Sequence, residues 1–242
     1  MTDPTFSTDR GDGVMPEMKY SLERPEVDPR QTAIVVVDMV NWQVGVHDGA
    51  LLTQMSADGV DVSYIIDRVQ RTVIPNTARL LEAARSQGVR VAFLRLGCYQ
   101  RDYSDALPNL QKMFREAGAR DGSFACEVVE GITVEPGDIS LVKTGTGGFY
   151  SSGIDTHLRN MGIRHVAYTG VVTNACVLST AVGGYDRGYY GYVVGDCTAT
   201  FSETLQKSTE DMLSGYLARV VTTDEFVGLV QTPATAGVAA GR

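Results

Sequence analysis

Three reactive side chains stand where short apolar runs end. Asp38 closes AIVVVDM, Lys143 closes ISLVKTG, and Cys176 follows a further run in GVVTNACVLST, at a turn into a helical pattern. A thiol is mostly protonated at neutral pH, but a helix amino terminus, a nearby ammonium and a carboxylate base can together make it a thiolate nucleophile. Asp, Lys and Cys supply the side-chain parts of that arrangement. Backbone N–H groups at a turn before a helix can in addition hold the oxyanion formed when sulfur attacks a carbonyl carbon. The chemistry is acyl transfer to water. Each residue also has a structural reading: a carboxylate can cap a turn, a lysine can be a solvated strand end, and a lone cysteine is most often a small core residue.

Such a site needs elements that bring positions 38, 143 and 176 to one place. Near-continuous apolar, mostly β-branched runs mark candidate strands at Ala33–Val37, Val89–Leu94, Ile139–Val142, Val166–Thr169, Tyr192–Val194 and Arg219–Thr222, the pattern of strands covered on both faces. Amphipathic runs mark candidate helices at Ile65–Gln87, Ser151–Asn160, Ala175–Arg187 and Glu203–Leu217, with Gly88, Gly162 and Gly188 as stop signals after three of them. Alternation of this kind predicts an α/β fold, a three-layer αβα sandwich on a mostly parallel, roughly six-stranded Rossmann-like sheet. These folds place their sites at the carboxyl ends of strands. All three residues meet that rule.

The 242 residues, 43% hydrophobic and 21% charged, have a globular profile and suit one domain, assigned here to 31–232. Residues 1–30 mix Pro, Gly, Ser and charge without periodicity and read as an amino-terminal arm. Residues 233–242 are mostly small and read as a disordered tail. The formal charge of −8, with no Lys/Arg block longer than two residues, excludes the electrostatic footprint of nucleic-acid or anionic-membrane binding. With no apolar run long enough to span a bilayer, a cytoplasmic protein is expected. Cys98, Cys126, Cys176 and Cys197 form no CxxC pair and are expected as reduced thiols.

The strand ending in Asp38-Met39, the stretch VKTGTGGFY, and GVVTNACV followed by STA, DRGY and GDCTAT together resemble the isochorismatase-like cysteine hydrolases. That superfamily includes nicotinamidases, N-carbamoylsarcosine amidases, biuret hydrolases and ureidoacrylate amidohydrolases. The resemblance runs from about Thr32 to Val230. It implies Cys176 as nucleophile, Asp38 as general base and acid, and Lys143 as the cation between them. It also implies a non-proline cis peptide between Val171 and Val172, with the N–H groups of Val172 and Cys176 forming the oxyanion hole. Nicotinamidase-like members bind a metal through an Asp and two His after the second strand. Here that segment reads RLGCYQRDYSD, and the three histidines are His47, His157 and His165, so no such triad can be assembled and no metal or other cofactor is expected. Isochorismatases proper lack the nucleophilic cysteine, so Cys176 implies C–N cleavage.

The resemblance therefore implies a metal-independent cysteine amidohydrolase acting on a small amide, ureido or carbamoyl compound through a thioester-type intermediate, with ammonia released. It is closest in look to the ureidoacrylate amidohydrolase and biuret hydrolase branch. Val40 stands where those relatives often carry Gln, a departure that bears on substrate recognition. A homo-oligomer, dimer or tetramer, is implied as well.

Loops after three strands supply candidate substrate contacts. Asn41 and Trp42 follow Asp38, Arg95 and Tyr99 follow the second strand, and Phe149 and Tyr150 follow Lys143. Trp42, Phe149 and Tyr150 could stack on a planar group, and Arg95 could bind a carboxylate or carbonyl. Alternatively the aromatics anchor loops and Arg95 pairs with Asp102 or Asp105. Two other classes of protein compete with the enzyme. A binding protein that kept the fold and lost the chemistry would have no need of Asp, Lys and Cys together. A dinucleotide- or phosphate-binding protein would carry GxGxxG after its first strand or a GK[ST] loop, and neither is present.

Overall fold

The run TAIVVV forms strand β1, Thr32–Val37, and all six of its residues are buried. This computed structural model describes residues 25–45 and 49–231. Within β1, Ile34 and Val36 pack into one apolar cluster while Ala33, Val35 and Val37 pack into another. A strand whose two faces both meet core has to read as a continuous apolar run, and this one does. The other strands are β2, Arg90–Leu96, β3, Ile139–Lys143, β4, His165–Val171, β5, Tyr190–Ala199, and β6, Arg219–Val221. Every pairing is parallel, in the order β3-β2-β1-β4-β5-β6. The sheet is all-parallel rather than mostly so.

In chain order the helices are α1, Asn41–Val44, α2, Ala50–Ala57, α3, Ser63–Arg68, α4, Ile74–Ser86, α5, Gln111–Ala117, α6, Gly148–Ser151, α7, Ile154–Asn160, α8, Leu178–Tyr185, α9, Glu203–Ser214, and α10, Thr223–Gln231. Side chains of α3, α4 and α10 fill the cluster on one face, and those of α7, α8 and α9 fill the other. A π-turn, Val69–Val73, joins α3 to α4, so the expected helix Ile65–Gln87 is present with its middle turn widened. The expected Ser151–Asn160 helix is α7, which starts three residues later at Ile154, and Ser151 itself ends the separate helix α6. The expected Glu203–Leu217 helix stops at Ser214. Helices α1, α2, α5 and α10 are additions to the expected set.

β5 runs on through Gly195, Asp196 and Cys197 to Ala199, so Cys197 lies within the strand rather than after it. Its far end is also tied to groups outside the sheet. Arg68 donates to the carbonyls of Gly195 and Thr198, and Asp196 Oδ1 accepts from the N–H and hydroxyl of Thr223 at 2.8 and 2.9 Å. Of the expected arm, residues 25–30 are described. Val27 buries in the same cluster as Ile34, and Asp28 accepts from the Arg30 N–H at 2.9 Å. The rest of the arm, His47 and the expected tail lie outside the described residues. Among the described residues no helix is long and apolar enough to cross a membrane.

From β1 the chain builds outward through β2 and β3 on one side, and β4 begins the other. The strand order therefore reverses between β1 and β4. In open α/β sheets the crevice at the carboxyl end of that junction is where ligands bind.

Candidate active site

Asp38 is the first residue beyond β1 and lies at φ 57, a left-handed conformation that Asp tolerates better than most residues. Its N–H still reaches the Leu94 carbonyl at 2.8 Å, so the chain keeps the sheet's hydrogen bond as it turns away. The neighbouring strand makes room. Gly170 of β4, opposite Val37, has φ 100, and a Cβ there would lie 1.9 Å from the Val37 oxygen. Only glycine permits that approach.

Lys143 ends β3 in register with Leu96 of β2. With β2 between them, β3 and β1 stand about 9.6 Å apart at the usual strand spacing, a gap that a long side chain is needed to cross. Lys143 crosses it: Nζ is 2.8 Å from Asp38 Oδ2, with both side chains fully buried. The same nitrogen donates to the carbonyls of Gly145 and Thr146 at 2.9 and 3.2 Å and to Cys176 Sγ at 3.3 Å. The glycine-rich TGTGG stretch thus turns back so that its own carbonyls hold the ammonium.

Cys176 lies in a π-turn, Thr173–Val177, that leads directly into α8. The peptide bond before this turn, between Val171 and Val172, is cis. Thr173 donates to Gln206 Oε1 at 2.8 Å, and Gln206 Nε2 donates to Thr198 Oγ1 at 2.8 Å and Glu210 Oε1 at 2.7 Å. Thr200 donates to Asn174 at 2.6 Å. The turn is thereby tied to β5 and α9. Cys176 is 8% exposed, while Asp38 and Lys143 are 0% exposed, so an incoming molecule meets sulfur first.

Burial raises the Asp38 pKa against the opposing pull of Lys143. Burial also works against the Lys143 ammonium, but Asp38 and Cys176 outweigh it and hold its pKa above the ordinary value. Burial, and then the Asp38 charge, push the Cys176 thiol up to about 12, with Lys143 opposing. One cation thus faces two groups that can each become an anion, in surroundings where an unpaired charge is costly. With Lys143 protonated, one negative charge balances the site whether the carboxyl group or the sulfur carries it, so passing a proton between the two leaves the net charge unchanged.

The expected substrate contacts divide. Trp42 is 2% exposed, donates to the Leu96 carbonyl at 2.9 Å and packs edge-on against Phe114. Phe149 is 5% exposed and packs on Tyr189. Both rings are packed into the body of the protein, the geometry that the anchoring alternative describes. Arg95 does pair locally, but with Asp121 at 2.9 Å rather than Asp102 or Asp105, and its other terminal nitrogen contacts the Cys126 carbonyl at 3.4 Å. Asn41 donates to the Phe124 carbonyl at 2.9 Å. Tyr99 is half exposed, and its hydroxyl donates to the Val142 carbonyl at 3.3 Å, beside Lys143. Tyr150 is 92% exposed.

Cys98 and Cys126 are buried in a loop cluster with Trp42, and burial raises both thiols to about 11. His165 is buried on β4 and stacks on Tyr190, and His157 is exposed on α7. Among the described residues no group of three or more His, Cys, Asp or Glu is placed to hold a metal ion.

A family model described as the isochorismatase domain matches residues 32–225. The chain is 32% identical over 224 residues to ureidoacrylate amidohydrolase RutB of Caulobacter vibrioides, spanning 85% of this chain and 95% of the relative. It is 35% identical over 193 residues to the protein of the same name from Methylorubrum extorquens, spanning 72% and 73%. Among solved structures, a cysteine hydrolase from Pseudomonas syringae pv. phaseolicola shares the fold at a TM-score of 0.70 and 24% identity, covering 86% of this chain and 98% of that one. N-carbamoylsarcosine amidase from Thermoplasma acidophilum superposes at a TM-score of 0.62 and 26% identity, covering 80% and 97%. With a match that begins at the first residue of β1 and ends within α10, and so takes in all six strands and the whole Asp38–Lys143–Cys176 cluster, the chain belongs to the isochorismatase family of hydrolases.

Proposed function

We propose that the protein is a cysteine amidohydrolase that cleaves a C–N bond of a small amide, ureido or carbamoyl compound and releases ammonia. One observation carries this reading: the buried ammonium of Lys143 touches both Asp38 Oδ2 and Cys176 Sγ. A carboxylate and a thiol that share one cation form a proton-transfer pair, and the sulfur is the member within reach of solvent. The substrate class draws on two relatives, a ureidoacrylate amidohydrolase at 32% identity and an N-carbamoylsarcosine amidase at 26%. Both names denote enzymes that act on ureido or carbamoyl groups.

In this mechanism Asp38 takes the Cys176 proton as sulfur attacks the carbonyl carbon, and Lys143 stabilises the negative charge as it moves from carboxylate to sulfur. The N–H groups of Val172 and Cys176 receive the developing oxyanion. Asp38 then gives its proton to the leaving nitrogen. Ammonia departs, and a thioester-type intermediate remains on Cys176. Asp38 next deprotonates a water molecule that attacks this intermediate, and the same proton returns to sulfur as the acid product leaves. The nucleophile comes from the chain itself.

The test is ammonia release from ureidoacrylate-like acids, biuret, N-carbamoyl amino acids, nicotinamide and simple aromatic amides, with Cys176→Ala as the blank. Turnover of at least one ureido or carbamoyl compound that disappears in the blank is expected. Near wild-type turnover by Cys176→Ala would overturn the mechanism. Turnover confined to the aromatic amides would overturn the substrate class.

A further inference from the structure

Thr180 lies one helical turn beyond Cys176 on α8 and is fully buried. Its hydroxyl donates to the Cys176 carbonyl at 2.6 Å, the back-bond to the residue four earlier that a helical threonine readily makes. With the proton committed there, a lone pair of the same oxygen accepts the Gly148 N–H at 3.0 Å. The approach is close: a Cβ at Gly148 would lie 2.3 Å from Leu94 Cδ1 and 3.1 Å from Thr180 Cγ2. The segment just before Gly148 carries the Gly145 and Thr146 carbonyls that hold Lys143 Nζ. One hydroxyl therefore joins the helix that follows the sulfur to the loop that holds the ammonium.

We propose that Thr180 is a positioning residue. Its hydroxyl fixes the 145–148 loop against α8 and so keeps Lys143 Nζ within reach of both Asp38 and Cys176. The inference rests on the reading of Cys176 as nucleophile. Thr180 touches none of the reacting atoms in that reading. Its effect passes through the Gly145 and Thr146 carbonyls to Lys143.

The experiment compares Thr180→Val with Thr180→Ser. Valine keeps the shape but can neither donate nor accept, which leaves the buried Gly148 N–H without its partner. Serine keeps both bonds and loses only a methyl group. Two readouts are taken: kinetics on whichever substrate the ammonia panel identifies, and the pH profile of Cys176 alkylation by iodoacetamide, followed by peptide mass spectrometry. The second needs no substrate.

In Thr180→Val, kcat is expected to fall about 10–100-fold, the scale of small misplacements of catalytic groups, with KM changed less than about twofold. Across the rising limb below about pH 10, alkylation of Cys176 is expected to be slower at each pH as the ammonium loses its place beside sulfur. Thr180→Ser is expected to retain most of the rate and the wild-type profile. A Val variant with wild-type kcat and alkylation profile overturns the proposal. So does a Ser variant as impaired as Val, since the methyl group would then be what matters. If Thr180→Val does not fold, Thr180→Ala enters the same comparison, again with Ser as the rescue. Turnover that survives in Cys176→Ala would remove the nucleophile reading, and the alkylation profiles would then decide on Thr180 by themselves.

Discussion

Lys143 Nζ lies 2.8 Å from Asp38 Oδ2 although the two residues leave β3 and β1, strands that do not touch. The pair bridges the carboxyl end of β2 from within the core. Replacing Lys143 by methionine keeps most of the stem and removes the charge, which leaves Asp38 buried without its cation. Removing one partner of a buried pair costs about 3–5 kcal/mol. Asp38 can relieve part of that cost by taking up a proton, because burial already raises its pKa. A carboxyl whose folded pKa lies above its unfolded value favours the folded state when protonated, so the deficit of Lys143→Met relative to wild type is expected to shrink from about pH 8 to about pH 5. Urea unfolding of both proteins at the two pH values measures it. An equal deficit at both would assign the loss to packing instead.

The protonation state of Cys176 carries its own prediction. Many reactive cysteines rest as thiolates with pKa values well below the usual thiol value of about 8.5. Here burial and the Asp38 charge push the thiol up to about 12. Alkylation of Cys176 by iodoacetamide is therefore expected to keep rising with pH beyond about 10, without the plateau of an ordinary thiol. Turnover follows a different limb. It needs Asp38 ionised, so kcat/KM is expected to fall on the acid side around a midpoint above the ordinary carboxylate value of 3.8. An alkylation plateau near neutrality would mean that the sulfur rests as a thiolate and that Asp38 is not the group that takes its proton.

What the sequence shows well are features in which local chemistry and burial agree. β1 and the start of β4 are read correctly because strands with core on both faces need apolar residues at every position. Asp38, Lys143 and Cys176 stand out because each interrupts such a run, or directly follows one, at the edge where α/β sheets place their sites. β5 is misjudged at its far end, where Gly195 and Asp196 resemble a turn. Arg68 and Thr223, distant in sequence, supply the partners that let them stay in the strand.

Other misses had a signal. Helix α10 is preceded by Thr222 and begins with Thr223, Asp224 and Glu225, and the Glu225 carboxylate accepts the Thr222 N–H at 2.7 Å while Thr222 Oγ1 accepts the Glu225 N–H at 3.3 Å. That capping box is visible in the sequence itself. Trp42 and Phe149 had no comparable signal. An aromatic residue near a strand end can line a pocket or seat its loop, and the choice depends on Leu96, Phe114 and Tyr189, which only the fold brings near. The Arg95–Asp121 pair likewise joins residues on separate loops. Thr180 carries no signal of its own, because its two partners, Cys176 and Gly148, identify it only once the 145–148 loop is seen to fold back onto α8.

Gly170 offers a test of how closely the sheet must approach the site. Its φ of 100 and its contact with Val37 make two separable demands, one on backbone conformation and one on space. Gly88 separates them. It ends the connection after α4 at φ 81, and a Cβ added there would have nothing within 4 Å of it, so alanine at that position meets the conformational cost alone, about 1–2 kcal/mol. Alanine at Gly170 adds a collision with the Val37 carbonyl, and the two effects together are expected to destabilise by about 2–5 kcal/mol. Because Val37 directly precedes Asp38, the displaced strand should also carry the carboxylate away from Lys143. Gly170→Ala is therefore expected to lose activity in the protein that remains folded, while Gly88→Ala keeps its activity at the same temperature. Equal losses of stability in the two variants, measured by urea unfolding, would show that the approach of β4 to Val37 adds no constraint beyond the backbone angle.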